Sequence, residues 1–210
     1  MSRLIGIMGE PGSGKTTSLR SLNPDETYYI DCDGKGLNWK SWREQYNEEK
    51  KNYYKTSNPN TVRSLLSNVN EKAPQIKTII IDTLNNLMVS EEMRRCKEKG
   101  YDKWMDLAQS VWDIVDDSLK LREDLTVIIL FHIQKDEETG FVRIKTNGRK
   151  TEKNNIDSKF NILFYAKEIE GKYFFETNAS NSTARTPFGA FEEKQIDNDM
   201  SKILEILKEF

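Results

Sequence analysis

Cysteine is nearly absent from this sequence. Cys32 and Cys96 are the only two, and their spacing fits neither a CxxC motif nor a metal-ligand set. Nothing therefore points to a disulfide-stapled secreted scaffold, and reduced thiols in a cytosolic protein are the expectation. Long apolar runs are missing as well. Leu4–Met8 is too short for a signal peptide and runs straight into a glycine-rich loop. No stretch approaches the roughly 20 apolar residues of a membrane span, so a soluble, cytoplasmic protein without a membrane partner is expected. Net charge is also lacking. Charged residues make up 31% of the chain, yet the formal balance is only -2, so any polyanionic partner must be sought in a local patch. Internal repeats and low-complexity linkers are absent. The 210 residues suit one domain spanning 1–210, long enough to bury about 70% of its unfolded surface without a staple.

What is present is an alternation of strand and helix signals. Leu4–Met8, Thr27–Asp31, Thr78–Ile81 and Thr126–Phe131 read as short, mostly apolar strands. Lys15–Leu22 is expected to be a helix stopped at Asn23-Pro24, and Thr61–Glu71 carries Val62, Leu65, Leu66 and Val69 at helical spacing. Trp104, Leu107, Ala108, Val111, Val115 and Leu119 form a stripe with a period near 3.6. Residues 34–58 have no clear pattern, and 134–155 are polar. Asn161–Glu168 and Lys172–Thr177 read as two strands joined at Gly171, and Met200, Ile203, Leu204 and Leu207 as a closing helix. Strands apolar throughout are those of a parallel sheet covered on both faces, so an α/β fold with a mostly parallel central sheet flanked by helices is expected.

The strand Leu4–Met8 leads into Gly9-Glu10-Pro11-Gly12-Ser13-Gly14-Lys15-Thr16, which matches GxxxxGK[ST] between a strand and a helix. Each residue type has a reason. Glycines let the backbone turn and aim its N–H groups at phosphate oxygens. The following helix offers unpaired amides and the positive end of its dipole. Lys15 supplies an ammonium for the β- and γ-phosphates, and the Thr16 hydroxyl can ligate Mg²⁺. The expected cradle for ATP thus runs from Gly9 through Thr16 to Thr17.

Three further residues complete the predicted chemistry. Asp82 closes the strand Thr78–Ile81 and is the candidate Walker B carboxylate, holding Mg²⁺ together with Thr16; a helix N-cap is the plainer alternative. His132, the only histidine, follows Thr126–Phe131 and suits a sensor of the γ-phosphate or attacking water, or else a hydrogen-bonded sheet-edge residue. Asp33, after the second strand, is the candidate that orients the water, with a turn-forming role before Gly34 as the competing account.

In order, these segments are Gly-Glu-Pro-Gly-Ser-Gly-Lys-Thr, Tyr-Ile-Asp-Cys-Asp-Gly, Ile-Ile-Ile-Asp-Thr and Leu-Phe-His, then Thr183-Ala184-Arg185 and Gly189-Ala190-Phe191. The whole resembles the RecA-like nucleotide-binding proteins of phages, the family that includes the Sak-type single-strand annealing ATPases. The resemblance implies a P-loop NTPase with a RecA-like core, acting on single-stranded DNA in recombination or replication within a host cytoplasm. It implies that Asp33 stands where the family more often has glutamate, and that His132 falls on its strand-end sensor position. It further implies a homo-oligomer in which Arg185 reaches a neighbouring subunit's nucleotide, with a plain surface-loop residue as the alternative.

RecA-like proteins carry DNA-contacting loops after the sensor strand. Phe141–Lys153 occupies that place, with Arg143, Lys145, Arg149, Lys150 and Lys153 against the single acid Glu152. Such a loop suits phosphate contacts, with Phe141 free to stack on a base, although Asp136, Glu137 and Glu138 dilute the field. A solvated hairpin is the bland alternative. Trp39, Trp42, Tyr46, Tyr53 and Tyr54 belong either over the adenine or in core and subunit contacts. Two other functional classes remain open: a small-molecule or nucleotide kinase, against which stands the lack of an arginine-rich lid, and a non-catalytic nucleotide-dependent binding module.

Overall fold

The computed structural model describes residues 1–100, 102–146 and 156–210. An eight-stranded sheet forms its centre. In chain order its strands are β1 (Arg3–Gly9), β2 (Thr27–Asp31), β3 (Tyr53–Lys55), β4 (Thr78–Asp82), β5 (Thr126–Phe131), β8 (Ile162–Ile169), β9 (Lys172–Glu176) and β10 (Gln195–Asp197). A separate two-stranded hairpin pairs β6 (Ile133–Lys135) with β7 (Val142–Ile144). The spatial order is β10-β9-β8-β1-β5-β4-β2-β3, parallel from β8 to β3, with β9 and β10 added antiparallel at one edge. β5 therefore lies between β1 and β4.

Side chains along a strand alternate between the sheet's faces, and the core divides accordingly. Leu4, Met8, Ile79, Ile81, Val127 and Ile129 join the cluster beneath α2 (Pro59–Lys72), α3 (Leu84–Arg94) and α4 (Asp102–Leu119). Ile5, Ile7, Ile80, Ile128 and Leu130 join the opposite cluster, with Leu19, Tyr29 and Tyr46, and with Met200 and Ile203 from α5 (Met200–Ile206). These aliphatic side chains are essentially inaccessible, and each contributes about 1.5–3 kcal/mol by burial. The same alternation gives Asp82 the parity of Ile80, and His132 that of Leu130. Both polar residues follow apolar strands on the face that Leu19 covers.

Helix ends are capped by local chemistry. Asn58 Oδ1 accepts from the Asn60 and Thr61 amides, with Pro59 opening α2. At the other end of α2, the Arg122 guanidinium donates to the carbonyls of Val69, Asn70, Ala73 and Ile76.

Lys15–Leu22 departs from expectation: only Thr17–Leu19 is helical, as a 3-10 turn. The segment is short, Asn23-Pro24 ends it, and its hydroxyls compete for the backbone, Ser18 Oγ donating to Lys15 O at 2.6 Å. The unpatterned residues 34–58 hold α1 (Trp42–Gln45) and β3. Of their aromatics, Tyr46 is buried, Trp39, Trp42 and Tyr53 pack against the same cluster, and Tyr54 is exposed. The polar segment 134–155 contains most of the β6–β7 hairpin.

Candidate functional site

The C-terminal ends of β1, β5, β4 and β2 meet at one edge of the sheet, where Met8 aligns with Phe131 and Asp31 with Asp82. Ligands of open α/β sheets bind beyond such strand ends. The glycine-rich loop leaves β1 here. At Gly9 a side chain would sit 2.4 Å from Ser13 Oγ and 2.8 Å from Ala166 O, so the turn is too tight for a Cβ. Gly14 has φ +87°, and a Cβ there would meet the Tyr173 ring at 2.7 Å. Ser18 N donates to Gly14 O at 2.9 Å and is an early amide of the turn to find a backbone acceptor. Within the loop, Ser13 N donates to Glu10 O at 3.2 Å, and amides at a helix start are in general free to meet an anion.

Lys15 is 6% exposed, and its ammonium donates to the carbonyls of Gly9 (2.8 Å) and Glu10 (2.7 Å). Burial lowers its pKa to about 8, with Asp82 opposing the shift and Lys35 adding to it. Thr16 Oγ1 donates to Asp82 Oδ2 at 2.8 Å, and the buried Tyr29 hydroxyl donates to the same oxygen at 2.5 Å. Asp82 Oδ1 is buried and has no hydrogen-bond partner. Burial pushes the Asp82 carboxyl above its ordinary range, although Tyr29 and Thr16 pull the other way. The fold thus brings Thr16 and Asp82 together as the sequence leads one to expect. Tyr29 is unannounced, because its hydroxyl is hidden in an apolar strand.

A cavity of about 460 Å³ opens over this cradle, lined by Gly12, Lys15, Thr16, Lys35, Asp82 and His132 among others. His132 Nδ1 is buried and unpartnered. Burial, then the nearby Lys15 charge, hold its pKa below the ordinary value, so the ring is neutral at pH 7. Asn85, in the first turn of α3, holds the backbone of His132: Asn85 Oδ1 accepts from His132 N at 2.7 Å, and Asn85 Nδ2 donates to Lys145 O at 2.8 Å. Asn85 is not among the residues the sequence singles out. Its only signal is a polar residue at the start of a helix that packs on the sheet.

Asp33 accepts from Thr83 N (3.2 Å), Thr83 Oγ1 (2.8 Å) and Lys35 Nζ (2.5 Å). Burial alone would raise its pKa; the bonds from Lys35 and Thr83 hold it below the ordinary value, so it is ionised. It borders a second cavity of about 310 Å³ with Lys35, Asn85, His132 and Lys145. Asp31 does different work: Oδ1 accepts from Gly34 N (2.7 Å), and Oδ2 from Gly36 N (2.9 Å) and Tyr53 OH (2.6 Å).

Against this geometry, the profile of the AAA domain family matches residues 2–187. The chain belongs to the AAA domain family. No curated protein matches it. As an AAA-domain chain it is a P-loop NTPase of the α/β class, and its mostly parallel sheet is that of a RecA-like core. Its family implies ATP binding, typically with Mg²⁺.

The residues of this AAA domain fit such a load. Among the described residues no three His, Cys, Asp or Glu side chains converge, so a cation would take Thr16 Oγ1 and Asp82 and complete its shell with phosphate and water oxygens. Mg²⁺ prefers that arrangement. The unpartnered Asp82 Oδ1 is an acceptor with nothing else to satisfy it. No helix among the described residues is long and apolar enough to cross a membrane.

Arg185 lies apart from the cradle. Its backbone bridges to Leu163, Nε donates to Thr183 O at 3.2 Å and an η-nitrogen to Asp157 O at 3.0 Å. Both acceptors belong to its own chain, so a role in trans requires it to give them up. Of the basic loop, Arg143 is half-buried on β7, Lys145 is exposed just beyond it, and Phe141 is 36% exposed at the hairpin. Arg149, Lys150 and Lys153 lie outside the described residues.

Proposed function

We propose that this AAA-domain protein hydrolyses MgATP and couples turnover to single-stranded DNA. The observation that carries the ATPase half is the Thr16–Asp82 bond beside the glycine loop, with an ionised Asp33 and a neutral His132 at neighbouring strand ends. Lys15 and the loop amides bind the phosphates; Thr16 and Asp82 hold the metal, which screens phosphate charge when bound. Asp33 and His132 stand where the attacking water would be oriented.

The DNA half is supported by the hairpin that starts one residue after His132. Lys145 N donates to His132 O at 2.8 Å, so the end of β7, the strand that carries Arg143, is tied to the backbone of His132. Phosphate contacts by Arg143, Lys145 and the Arg149–Lys153 segment would then be felt at His132. A homo-oligomer, with Arg185 at the neighbour's nucleotide, belongs to the same reading.

The test is steady-state phosphate release with and without single-stranded DNA, for the parent and Lys15→Ala. Stimulation by DNA in the parent and at least about a 10²-fold loss in Lys15→Ala are expected. Transfer of phosphate only to an added small acceptor would replace this reading with a kinase. Nucleotide affinity without turnover, even with DNA, would replace it with a binding switch.

A further inference from the structure

Lys35 is a second cation at the phosphate site, and the motif does not include it. Among the described residues, Lys15 and Lys35 are the only cationic side chains lining the cavity over the glycine loop. Lys35 and His132 are also the two residues common to that cavity and the neighbouring one that holds Asp33. An ordinary surface lysine hangs on a mobile loop. This one is presented by a clamped turn: Asp31 accepts from the amides on both sides of it, Gly34 and Gly36, and Tyr53 locks the same carboxylate. Gly34 and Gly36 have φ +72° and +77°, so the backbone bends on either side of Lys35. The ammonium donates to Asp33 Oδ2 at 2.5 Å while the side chain remains 61% exposed. It is tethered but free to leave. Its charge acts on Lys15, Asp82 and His132 alike, which places it within the field of the whole site.

We propose that Lys35 is a catalytic residue that binds the terminal phosphate in cis, releasing Asp33 to orient the attacking water. This rests on the ATPase reading above. A terminal phosphate brought into the cavity competes with the Asp33 carboxylate for the ammonium. In the reaction, the water oxygen bonds to the terminal phosphorus and the bond from that phosphorus to the bridging oxygen breaks. The diphosphate leaves with that electron pair, and the water's proton ends on the released phosphate. Lys35 neutralises charge on the terminal oxygens as it develops, and Asp33 Oδ2, no longer paired with Lys35, accepts a hydrogen bond from the water while Oδ1 keeps its bonds from Thr83. The exchange couples the two events: the carboxylate becomes available only when a third phosphate is present.

The experiment compares the parent with Lys35→Gln and Lys35→Arg, measuring phosphate release and the affinities for MgADP and a non-hydrolysable magnesium–triphosphate analogue. In Lys35→Gln, kcat is expected to fall about 10²-fold, triphosphate affinity about tenfold, and MgADP affinity not at all. Lys35→Arg should recover part of the rate. A kcat within twofold of the parent, or equal losses for both nucleotides, overturns the role. If the parent binds the triphosphate but turns nothing over, the two affinities still decide: a loss confined to the triphosphate supports the contact, and no such loss removes it. A parent that binds neither nucleotide overturns the ATPase reading and this proposal together.

Discussion

Burial moves Lys15 and Asp82 alike toward their neutral forms, and each gives a prediction. Lys15 titrates near 8 in the folded chain against an ordinary 10.5. Between these values the unfolded chain carries a proton the folded chain does not, so this residue adds stability as pH rises through that window and detracts from it below. Nucleotide phosphates favour the charged lysine, so binding takes up a proton above pH 8. ATP affinity is expected to fall by up to about tenfold per unit between pH 8.5 and 9.5. Titration calorimetry in buffers of different ionisation enthalpy measures the uptake; a flat affinity with no proton exchange contradicts it.

Asp82 makes the opposite case. Its folded-state pKa is raised, first by burial. The contribution is therefore fully present at low pH and is lost as pH rises through the folded value. Asp82→Asn keeps an acceptor for Thr16 and Tyr29 but removes a buried charge. It should be at least as heat-stable as the parent at pH 7 while losing about 10²-fold or more in magnesium-dependent turnover. A clearly lower Tm would mean that the carboxylate holds the site together rather than serving it.

At the scale of elements, strands are easier to locate in the sequence than what lies between them. Thr27–Asp31 and Thr126–Phe131 have the bounds read from the sequence, because runs of Ile, Val, Tyr and Leu flanked by turn residues have few other uses. The helix after Lys15 is shorter than its pattern suggests, since hydroxyl side chains that bond to their own backbone do not show in apolar spacing. Residues 34–58 stay dark because their order comes from long-range contacts: Tyr53 reaches Asp31, and Asn52 Nδ2 reaches Pro24 O at 2.8 Å. Arg122 is a similar case. Four carbonyls at or beyond the end of α2 share its guanidinium. Arg122→Ala should lower stability by about 1–3 kcal/mol in urea denaturation and leave ATP affinity unchanged. A loss below about 0.5 kcal/mol would show that water replaces the guanidinium at no cost.

For the whole molecule, net charge says little and its distribution says more. A formal -2 does not draw polyanions, but the hairpin that leaves His132 sets Arg143 on its returning strand and Lys145 just beyond it, apart from the acids Asp136, Glu137 and Glu138 at its turn. Replacing Arg143 and Lys145 together by Glu should weaken single-stranded DNA binding at least tenfold. The slope of log affinity against log salt should become shallower by about two, because two fewer DNA phosphates are neutralised. An unchanged slope would locate the phosphate-binding residues elsewhere or deny DNA binding altogether.

The sequence by itself determined the phosphate loop and the buried strands, with Asp82 and His132 at the ends of two of them. Those features depend on local chemistry: a glycine-rich turn and an apolar strand carry their requirements within a few residues. Only the tertiary structure decided that β5 lies between β1 and β4, that Tyr29 and Thr16 share one oxygen of Asp82, that Asn85 pins His132, and that Lys35 shares the cavity with Lys15. Strand order and side-chain convergence are set by packing between segments far apart in the chain, and no short-range pattern encodes which distant partner a polar side chain will meet.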